Sequence, residues 1–194
     1  MNNPAPIADL VNAAIGSNSA DLSQMLKCVA VSLHGFGCAL WEMEPLPGPS
    51  DKGNSGRLFI NSAWFPTQQI FACHDLPVNN SFTGDVIVSQ TARISRDIQR
   101  DGKAGGKHRF LVDNEIQHLC SVPVQFLDGQ LGALNVYRQT GGNAFTKDDH
   151  LHLERLPAVV PGLYQSVRDK LSLTILGHVN DILRRAEVEA GGEL

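Results

Sequence analysis

Two apolar segments joined by a short polar turn constrain the fold of this chain more than any other feature. Residues 120–127 are dense in apolar side chains that alternate along the segment, which predicts a strand. Asp128-Gly129 supplies the positive φ angles of a two-residue hairpin turn. The return strand, residues 130–138, contains LGALNVY and is apolar on both faces. We therefore expect other elements to cover the sheet on both sides.

A capped helix is predicted directly after this hairpin. Thr146 is a good N-cap, Asp149 lies where a carboxylate closes a capping box, and Asp148 adds negative charge near the positive end of the helix dipole. Pro157 and Pro161 each remove a helical hydrogen bond and clash with the preceding turn. We expect a break or a strong kink over 156–162.

Apolar periodicity and turn residues divide the rest of the chain into short elements. Helices are predicted at 6–15, 21–33, 81–91 and 113–119, and strands at 38–43, 57–65, 67–74 and 93–95. Ser81 is the predicted N-cap of its helix, and Leu76-Pro77 is a predicted turn.

This arrangement resembles a GAF domain, the small-molecule-binding and signalling module of sensor kinases, phytochromes and cyclic-nucleotide phosphodiesterases. The residues that carry the resemblance are Ser121-Val122-Pro123-Val124, Leu131 to Val136, Phe145 to Asp149, Gly84 within its predicted helix, and Asp97 after the short strand. The resemblance covers roughly residues 20–165. It implies an α/β (α+β) fold: a GAF-like central antiparallel sheet of five to six strands with helices on both faces.

The expected domain organisation has three parts: a leading helix over 1–18, the GAF-like domain over 19–165, and a C-terminal helix over 166–194. Apolar residues at helical spacing continue beyond residue 163, and such a stripe must be buried against something. We expect a homodimer through the terminal helices, with packing inside the domain as the alternative. An output domain or partner protein would receive the signal.

Composition excludes several function classes. The net charge of -4, without a run of basic residues, argues against nucleic-acid binding. No run of eighteen apolar residues and no signal peptide is visible, so we expect no membrane partner and a cytoplasmic location. The cysteines lie far apart without a C-x-x-C pair, which favours reduced, packed thiols. No metal site is predicted, since Cys73-His74 and His118-x-Cys120 are better explained by packing.

The resemblance implies a ligand pocket between one face of the sheet and the elements that cross it. The candidate ligand-binding residues are Trp64, Phe65, Arg93, Asp97, His108, Arg109, Ser121, Asn135 and Tyr137. Asn135 is the strongest, because an amide in a strand that is apolar on both faces needs a partner. The alternatives are that Trp64 and Phe65 are core residues, that Arg93 pairs with Asp97, and that His108 and Arg109 lie in solvent.

The leading functional hypothesis is a non-catalytic sensory module whose ligand biases a terminal helix. No catalytic residue is predicted and the cofactor stays unidentified. Residues 102–109 contain no cysteine, which argues against covalent bilin attachment. One alternative is a cysteine-dependent enzyme resembling the free-methionine-sulfoxide reductases, with Cys73 and Cys120 as the cooperating pair. Another is a structural dimerisation module with a filled pocket.

Overall fold

The computed structural model describes residues 22–45, 56–66, 76–101, 109–158, 160–162, 164–166 and 169. The predicted leading helix, the predicted strand at 67–74 and nearly all of the predicted C-terminal helix lie outside these residues. The helices are α1 (Leu22–Ser32), α2 (Phe82–Ser89), α3 (Arg109–Asp113) and α4 (Lys147–Leu153). The strands are β1 (Gly37–Pro45), β2 (Gly56–Trp64), β3 (Leu76–Pro77), β4 (Arg93–Ser95), β5 (Ile116–Gln125) and β6 (Leu131–Gln139).

The six strands form one sheet in the order β3-β2-β1-β6-β5-β4, and all the pairings between neighbours are antiparallel. The predicted α+β fold with a five- to six-stranded antiparallel sheet is confirmed, with six strands. β1 and β6 occupy the centre, which explains why β6 is buried along almost its whole length. The two edge strands are the shortest, with two residues in β3 and three in β4.

Helices cover both faces of the sheet, as predicted. On the first face α1 and α4 bury Cys38, Leu40 and Cys120 among other residues. On the second face the core contains residues of α2 and α3 together with Trp41 and Leu119. Consecutive residues of β1 therefore belong to different cores, as the period of two along a strand requires.

The β5–β6 hairpin differs from its prediction at the turn. The Phe126 N–H donates to the Gln130 carbonyl at 2.9 Å, and the Gly129 N–H donates to the Phe126 carbonyl at 3.0 Å. The loop therefore has three residues rather than two, because Leu127 precedes Asp128-Gly129. Gly129 has φ 85°, the left-handed conformation that a three-residue hairpin needs at its last position.

Two further local predictions were wrong. Leu76-Pro77 is the short strand β3, paired with Arg57 and Leu58 of β2, instead of a turn. Proline is tolerated there because an edge strand leaves one row of N–H groups unused. The predicted helix at 113–119 is displaced to Arg109–Asp113, since residues 116–125 pair with β6 over their whole length.

The helix boundaries follow the predicted capping residues. Ser81 Oγ accepts from the Gly84 N–H at 3.0 Å at the start of α2. Thr146 and Asp149 form the predicted capping box, with N···O distances of 3.1 and 2.8 Å. α4 ends at Leu153 and is followed by a 3₁₀ turn at Leu156–Ala158, so the predicted break is confirmed. No helix in the described part of the chain has the length and apolar character needed to cross a membrane.

Candidate ligand-binding site

A small cavity lies between the second face of the sheet and helices α2 and α3. Its volume of about 30 Å³ has room for one or two water molecules. Among the described residues, four aromatic side chains line it, those of Trp41, Phe82, Phe110 and Tyr137, together with four aliphatic side chains and the hydroxyl groups of a serine and a threonine. None of the lining residues in the described part of the chain is charged. The cavity lies where the resemblance implies a ligand, but in this conformation it is nearly closed.

A buried hydrogen-bond network includes three of the lining residues, Trp41, Thr83 and Tyr137, together with Asn135. The Trp41 Nε1–H donates to the Tyr137 hydroxyl at 2.9 Å. The Asn135 Nδ2 amide donates to the same hydroxyl at 3.1 Å and to Thr83 Oγ1 at 2.8 Å. All four residues are at least nine-tenths buried. The network therefore ties β1, β6 and α2 together beside the cavity.

Two atoms beside this network have no hydrogen-bond partner among the described residues. They are Asn135 Oδ1 and Ser121 Oγ. Ser121 and Asn135 are direct partners in the β5–β6 pairing, so their side chains are neighbours on one face. Rotating the Asn135 amide by 180° exchanges its donor and acceptor but still leaves one end unpaired. Unpaired buried polar atoms are rare because each one forfeits its hydration without compensation.

Four of the nine predicted site residues come together on the cavity side of the sheet. Ser121, Asn135 and Tyr137 form or adjoin the buried network. The Phe65 ring packs against Phe110 at 5.4 Å and Tyr137 at 5.6 Å between ring centroids. Phe65 therefore supports two lining residues.

Three of the other five, Trp64, Arg93 and Asp97, do not line the cavity. Trp64 packs against the α1 core on the opposite face of the sheet. Arg93 forms an ion pair with Asp85 at 3.1 Å, and Asp97 forms one with Arg100 at 3.2 Å, so the suggested Arg93–Asp97 pair is wrong. His108 and the side chain of Arg109 lie outside the described residues.

Two residues of the network, Trp41 and Thr83, are not among the predicted site residues. Trp41 lies in the predicted strand 38–43, where the alternation of faces assigns it to the side opposite Leu40. Thr83 lies in the first turn of α2, where a threonine is common and does not indicate a contact with another strand. Only the packing of α2 on β6 shows that Thr83 is a hydrogen-bond partner of Asn135.

Two of the three described cysteines are not placed for chemistry at the cavity. Cys38 and Cys120 lie in the core on the α1 side. Burial, supported by the charges of Asp149 and Glu154 and opposed by Arg138, raises the pKa of the Cys120 thiol to about 12. Burial alone raises the pKa of Cys38 far above its usual range. Protonated thiols are poor nucleophiles, so neither is activated in this conformation. Cys73 lies outside the described residues.

A metal site at His118-x-Cys120 is not formed either. His118 is buried, and its Nδ1 and Nε2 lie 2.6 Å from the Arg96 carbonyl and 3.1 Å from the Gly142 carbonyl. Both ring nitrogens therefore contact backbone oxygens and tie two loops together. Within the residues that the structure describes, no three His, Cys, Asp or Glu side chains are grouped so that they could hold a metal ion.

The buried thiols are expected to make the fold less stable at alkaline pH. Cys38 and Cys120 stay protonated in the folded chain well above the ordinary thiol pKa of 9.0, at which they ionise when unfolded. The contribution of the buried, protonated thiols to the free energy of unfolding is complete below the ordinary thiol pKa. It is lost as the pH rises toward the raised pKa values of the folded chain. The unfolding free energy should fall by about 1.4 kcal/mol per pH unit for each thiol.

Urea unfolding between about pH 9 and pH 11 measures this slope. Other ionising groups contribute equally to the wild type and to Cys120→Ala, so the difference between the two isolates one thiol. An identical slope in both proteins would contradict the assignment.

Comparison of the sequence with protein-family models and with curated proteins finds no match. The fold, in contrast, matches solved structures. The GAF domain of an Acinetobacter phosphoenolpyruvate-protein phosphotransferase aligns with a TM-score of 0.61 and 14% identity, covering 87% of this chain and 97% of that chain. This chain has a GAF-like fold.

Two further structures show how widely this GAF-like fold is used. The GAF domain of the corresponding Coxiella burnetii phosphotransferase aligns with a TM-score of 0.60 and 15% identity, covering 88% of this chain and 99% of that chain. The free methionine-R-sulfoxide reductase of Neisseria meningitidis, solved with its substrate, aligns with a TM-score of 0.58 and 13% identity, covering 88% of this chain and 95% of that chain. At such identities the likeness shows the fold alone, and the fold does not decide the function.

Proposed function

We propose that this GAF-like chain is a non-catalytic regulatory module: a small molecule enters the cavity, and the change is passed to the C-terminal segment. One observation carries the proposal. Two consecutive residues of the central strand β1, Trp41 and Glu42, make hydrogen bonds on opposite faces of the sheet. Trp41 belongs to the cavity, and Glu42 contacts the segment that leads toward the C-terminus.

The contacts of Glu42 define the second end of this connection. Glu42 is 5% exposed, and its Oε2 accepts from Asn61 Nδ2 at 2.7 Å and from the Tyr164 hydroxyl at 3.4 Å. Asn61 Nδ2 also donates to the Tyr164 hydroxyl at 3.0 Å. The Tyr164 ring packs against Phe126, with ring centroids 4.7 Å apart. Tyr164 thus fixes the start of the C-terminal segment to β1 and β2.

A β-bulge lies between the two ends. The β1–β2 register shifts between Leu40 and Trp41, so that Leu40 pairs with Ser62 and Trp41 pairs with Ile60. Asn61 is the extra residue, and its side chain is the one that reaches Glu42 and Tyr164. Bulges interrupt regular pairing and re-aim side chains. A displacement of Trp41 therefore acts at the point where the sheet is least regular.

Because the cavity is small, the proposed function requires that the module have two states. A ligand larger than a few atoms must displace Phe110 and Leu111 of the short helix α3, or Phe82 of α2. Opening removes apolar contacts, and ligand binding would compensate for this loss. A ligand that binds only the open state shifts the population toward it, and the Trp41–Tyr137 contact changes with it.

The substitution Tyr137→Phe tests this connection without knowledge of the ligand. It removes the acceptor of Trp41 and Asn135 while keeping the ring. We expect backbone amides over 160–166 to exchange hydrogen several-fold faster, although the altered hydroxyl lies on the other face of the sheet. Hydrogen–deuterium exchange with mass spectrometry measures this effect.

Two controls separate transmission from general loosening. Exchange in α1 reports global destabilisation and should change less than exchange over 160–166. Val31→Ala, at a position that is 56% exposed, should change neither region. If Tyr137→Phe alters only the surroundings of β1 and α2, the cavity is not connected to the C-terminal segment and the proposed function fails.

The regulatory proposal includes a homodimer through the terminal helices and an output partner. Sedimentation of the purified chain at micromolar concentration tests the dimer.

The reductase alternative draws on the fold shared with the Neisseria enzyme. The position of Cys120, across the sheet from the cavity, counts against it. Reduction of free methionine sulfoxide that is abolished by Cys73→Ser or Cys120→Ser would establish the alternative and remove the non-catalytic proposal.

A further inference from the structure

We propose that the ring of Phe110 occupies the ligand's place in the cavity, and that the ligand is a small uncharged aromatic molecule whose own ring displaces it. This inference rests on the proposed function, because it names the ligand class of the same cavity. The observation behind it is that Phe110 combines two properties. It lines the cavity among other aromatic side chains, and it belongs to α3, the shorter of the two helices that line the cavity.

The contacts of the Phe110 ring indicate what the site accepts. Its centroid lies 5.4 Å from that of Phe65 at an interplanar angle of 74°, and 5.9 Å from that of Tyr137 at 86°. Both are edge-to-face arrangements, which the charge distribution of aromatic rings favours. A separate aromatic ring in the same place would make the same two contacts.

The side of the cavity formed by the sheet is fixed. Trp41 and Tyr137 are 2% and 3% exposed, and the hydrogen bond from the indole N–H to the hydroxyl holds both rings in place. The two residues belong to the central strands β1 and β6. A ligand ring would therefore meet a preformed aromatic wall.

The side formed by α3 is the part that can move. α3 has five residues, too few for a helix that is stable without tertiary contacts, and Phe110 is only half-buried. Just after α3 the chain is anchored to the end of β6, where the Asn114 carbonyl accepts from Gln139 Nε2 at 3.1 Å and the Glu115 carbonyl accepts from the Thr140 N–H at 2.8 Å. Phe110 lies before this anchor, so α3 can turn about it while the sheet stays intact.

Size and charge define the ligand class. Displacing Phe110 adds the volume of its ring to the cavity of about 30 Å³, which makes room for one ring of similar size. None of the described lining residues is charged, so an ion would lose its hydration without gaining a counter-charge. An uncharged ring would instead bury its apolar surface.

The competing explanation is that Phe110 is a permanent core residue and that the cavity is a packing gap beside it. The two explanations differ in whether the wild-type chain binds a separate ring. Toluene is the phenylalanine side chain as a free molecule. Benzoate has a similar size but carries a charge at neutral pH.

The experiment titrates each probe into the full wild-type chain and follows the indole N–H signals of its two tryptophans by NMR. Trp41 lines the cavity, whereas Trp64 packs on the other face of the sheet and serves as the internal control. We expect toluene to shift the Trp41 signal saturably and to leave the Trp64 signal nearly unchanged. Benzoate should bind at least tenfold more weakly than toluene.

Substitutions within α3 test whether Phe110 competes with the ligand. Phe110→Ala should bind toluene at least tenfold more tightly than the wild type, because no internal ring has to be displaced first. Its midpoint of thermal unfolding should rise more with toluene than that of the wild type. Phe110→Leu fills the site in part, so its affinity should lie between the two, and it replaces Phe110→Ala if that variant does not fold. Val112→Ala, at a position of α3 that is 50% exposed, should bind as the wild type does.

Four results would overturn the proposal: no saturable shift of Trp41 in the wild type, equal shifts of the two tryptophans, tighter binding of benzoate than of toluene, or wild-type affinity for toluene in the Phe110 variants. Binding to Phe110→Ala without binding to the wild type belongs to the first of these. It would identify Phe110 as a permanent core residue.

Hydrogen exchange over 160–166 separates failure of this inference from failure of the proposed function. Toluene that binds without altering this exchange would support the ligand class and remove the regulatory function. If toluene does not bind but Tyr137→Phe still alters the exchange, the ligand class is overturned and the regulatory function stands.

Discussion

Replacing Arg138 with methionine is expected to lower the unfolding free energy by about 3–5 kcal/mol, the range measured when one partner of a buried charged network is removed. Arg138 is only 6% exposed. Its guanidinium holds three separate parts of the chain together, and methionine of similar length supplies none of its donors.

The contacts of Arg138 account for the size of this effect. Nε and Nη2 donate to the Leu33 carbonyl after α1, and Nη1 donates to the carbonyls of Asn143 and Ala144 at 3.0 and 3.2 Å. Nη2 also lies 3.3 Å from the Asp149 carboxylate of the α4 capping box, and the guanidinium lies 4.0 Å from the centre of the Phe145 ring. Its loss would leave the buried Leu33 carbonyl without a donor and would remove the contacts that join α1 and the start of α4 to β6.

Urea unfolding of Arg138→Met beside Arg155→Met measures the loss. Arg155 is exposed, so the same substitution there should change stability by less than about 0.5 kcal/mol. The free energy of unfolding of Arg138→Lys should lie between those of the two variants. Lysine keeps the charge but lacks the planar guanidinium, whose several N–H groups reach several acceptors at once. Equal stability of Arg138→Met and Arg155→Met would show that the network contributes nothing.

Gly84→Ala is the second substitution with a large expected effect, a loss of about 2–4 kcal/mol. A Cβ at this position of α2 would lie 1.9 Å from the Val78 carbonyl oxygen and 2.7 Å from the capping Ser81 Oγ. The nearer obstacle is backbone, so a side-chain rotation cannot relieve it. The helix would have to move away from residues 78–81, and its cap would be lost with that movement.

Gly162→Ala is the matched control, because a Cβ there meets no atom of the described residues within 4 Å. Alanine should be neutral or stabilise the chain by up to about 1 kcal/mol at this helical position. Thermal unfolding of both variants decides the comparison. Since Thr83 and Phe82 belong to the same helix, Gly84→Ala should also change the fluorescence of Trp41. A Gly84→Ala protein as stable as the wild type would mean that α2 does not pack on the 78–81 segment as described.

Local signals in the sequence predicted most of the elements. The stripe that contains Leu26 and Val29 gave α1, and the capping box at Thr146 gave the start of α4. Chemistry and spacing between near neighbours are enough for such features. The turn at Asp128-Gly129 was placed correctly but its length was not, because the added loop residue, Leu127, is apolar and reads as strand.

Residues near the candidate site were predicted only where a polar side chain stood out within an otherwise apolar strand. Ser121, Asn135 and Tyr137 were identifiable as polar groups in apolar strands, and all three proved to be buried together. The partners of Arg93 and Asp97 were not predicted from the sequence. Each forms an ion pair with a residue that the sequence pattern does not single out. Arg138 and Glu42 gave no signal at all. Their partners Leu33 and Tyr164 are 105 and 122 residues away, and only the assembled sheet brings them together.

The short edges of the sheet have a consequence for how copies of this chain can associate. β3 has two residues, one of which is a proline without an N–H group, and β4 has three residues that include an exposed arginine. Neither β3 nor β4 itself offers the long row of free hydrogen-bonding groups on which a strand from another molecule could be added. Among the described residues, longer stretches without a neighbouring strand lie where β2 and β5 extend beyond these short partners, at 59–64 and 122–125. Pairing of the described sheet with a strand of another molecule is therefore confined to these two stretches.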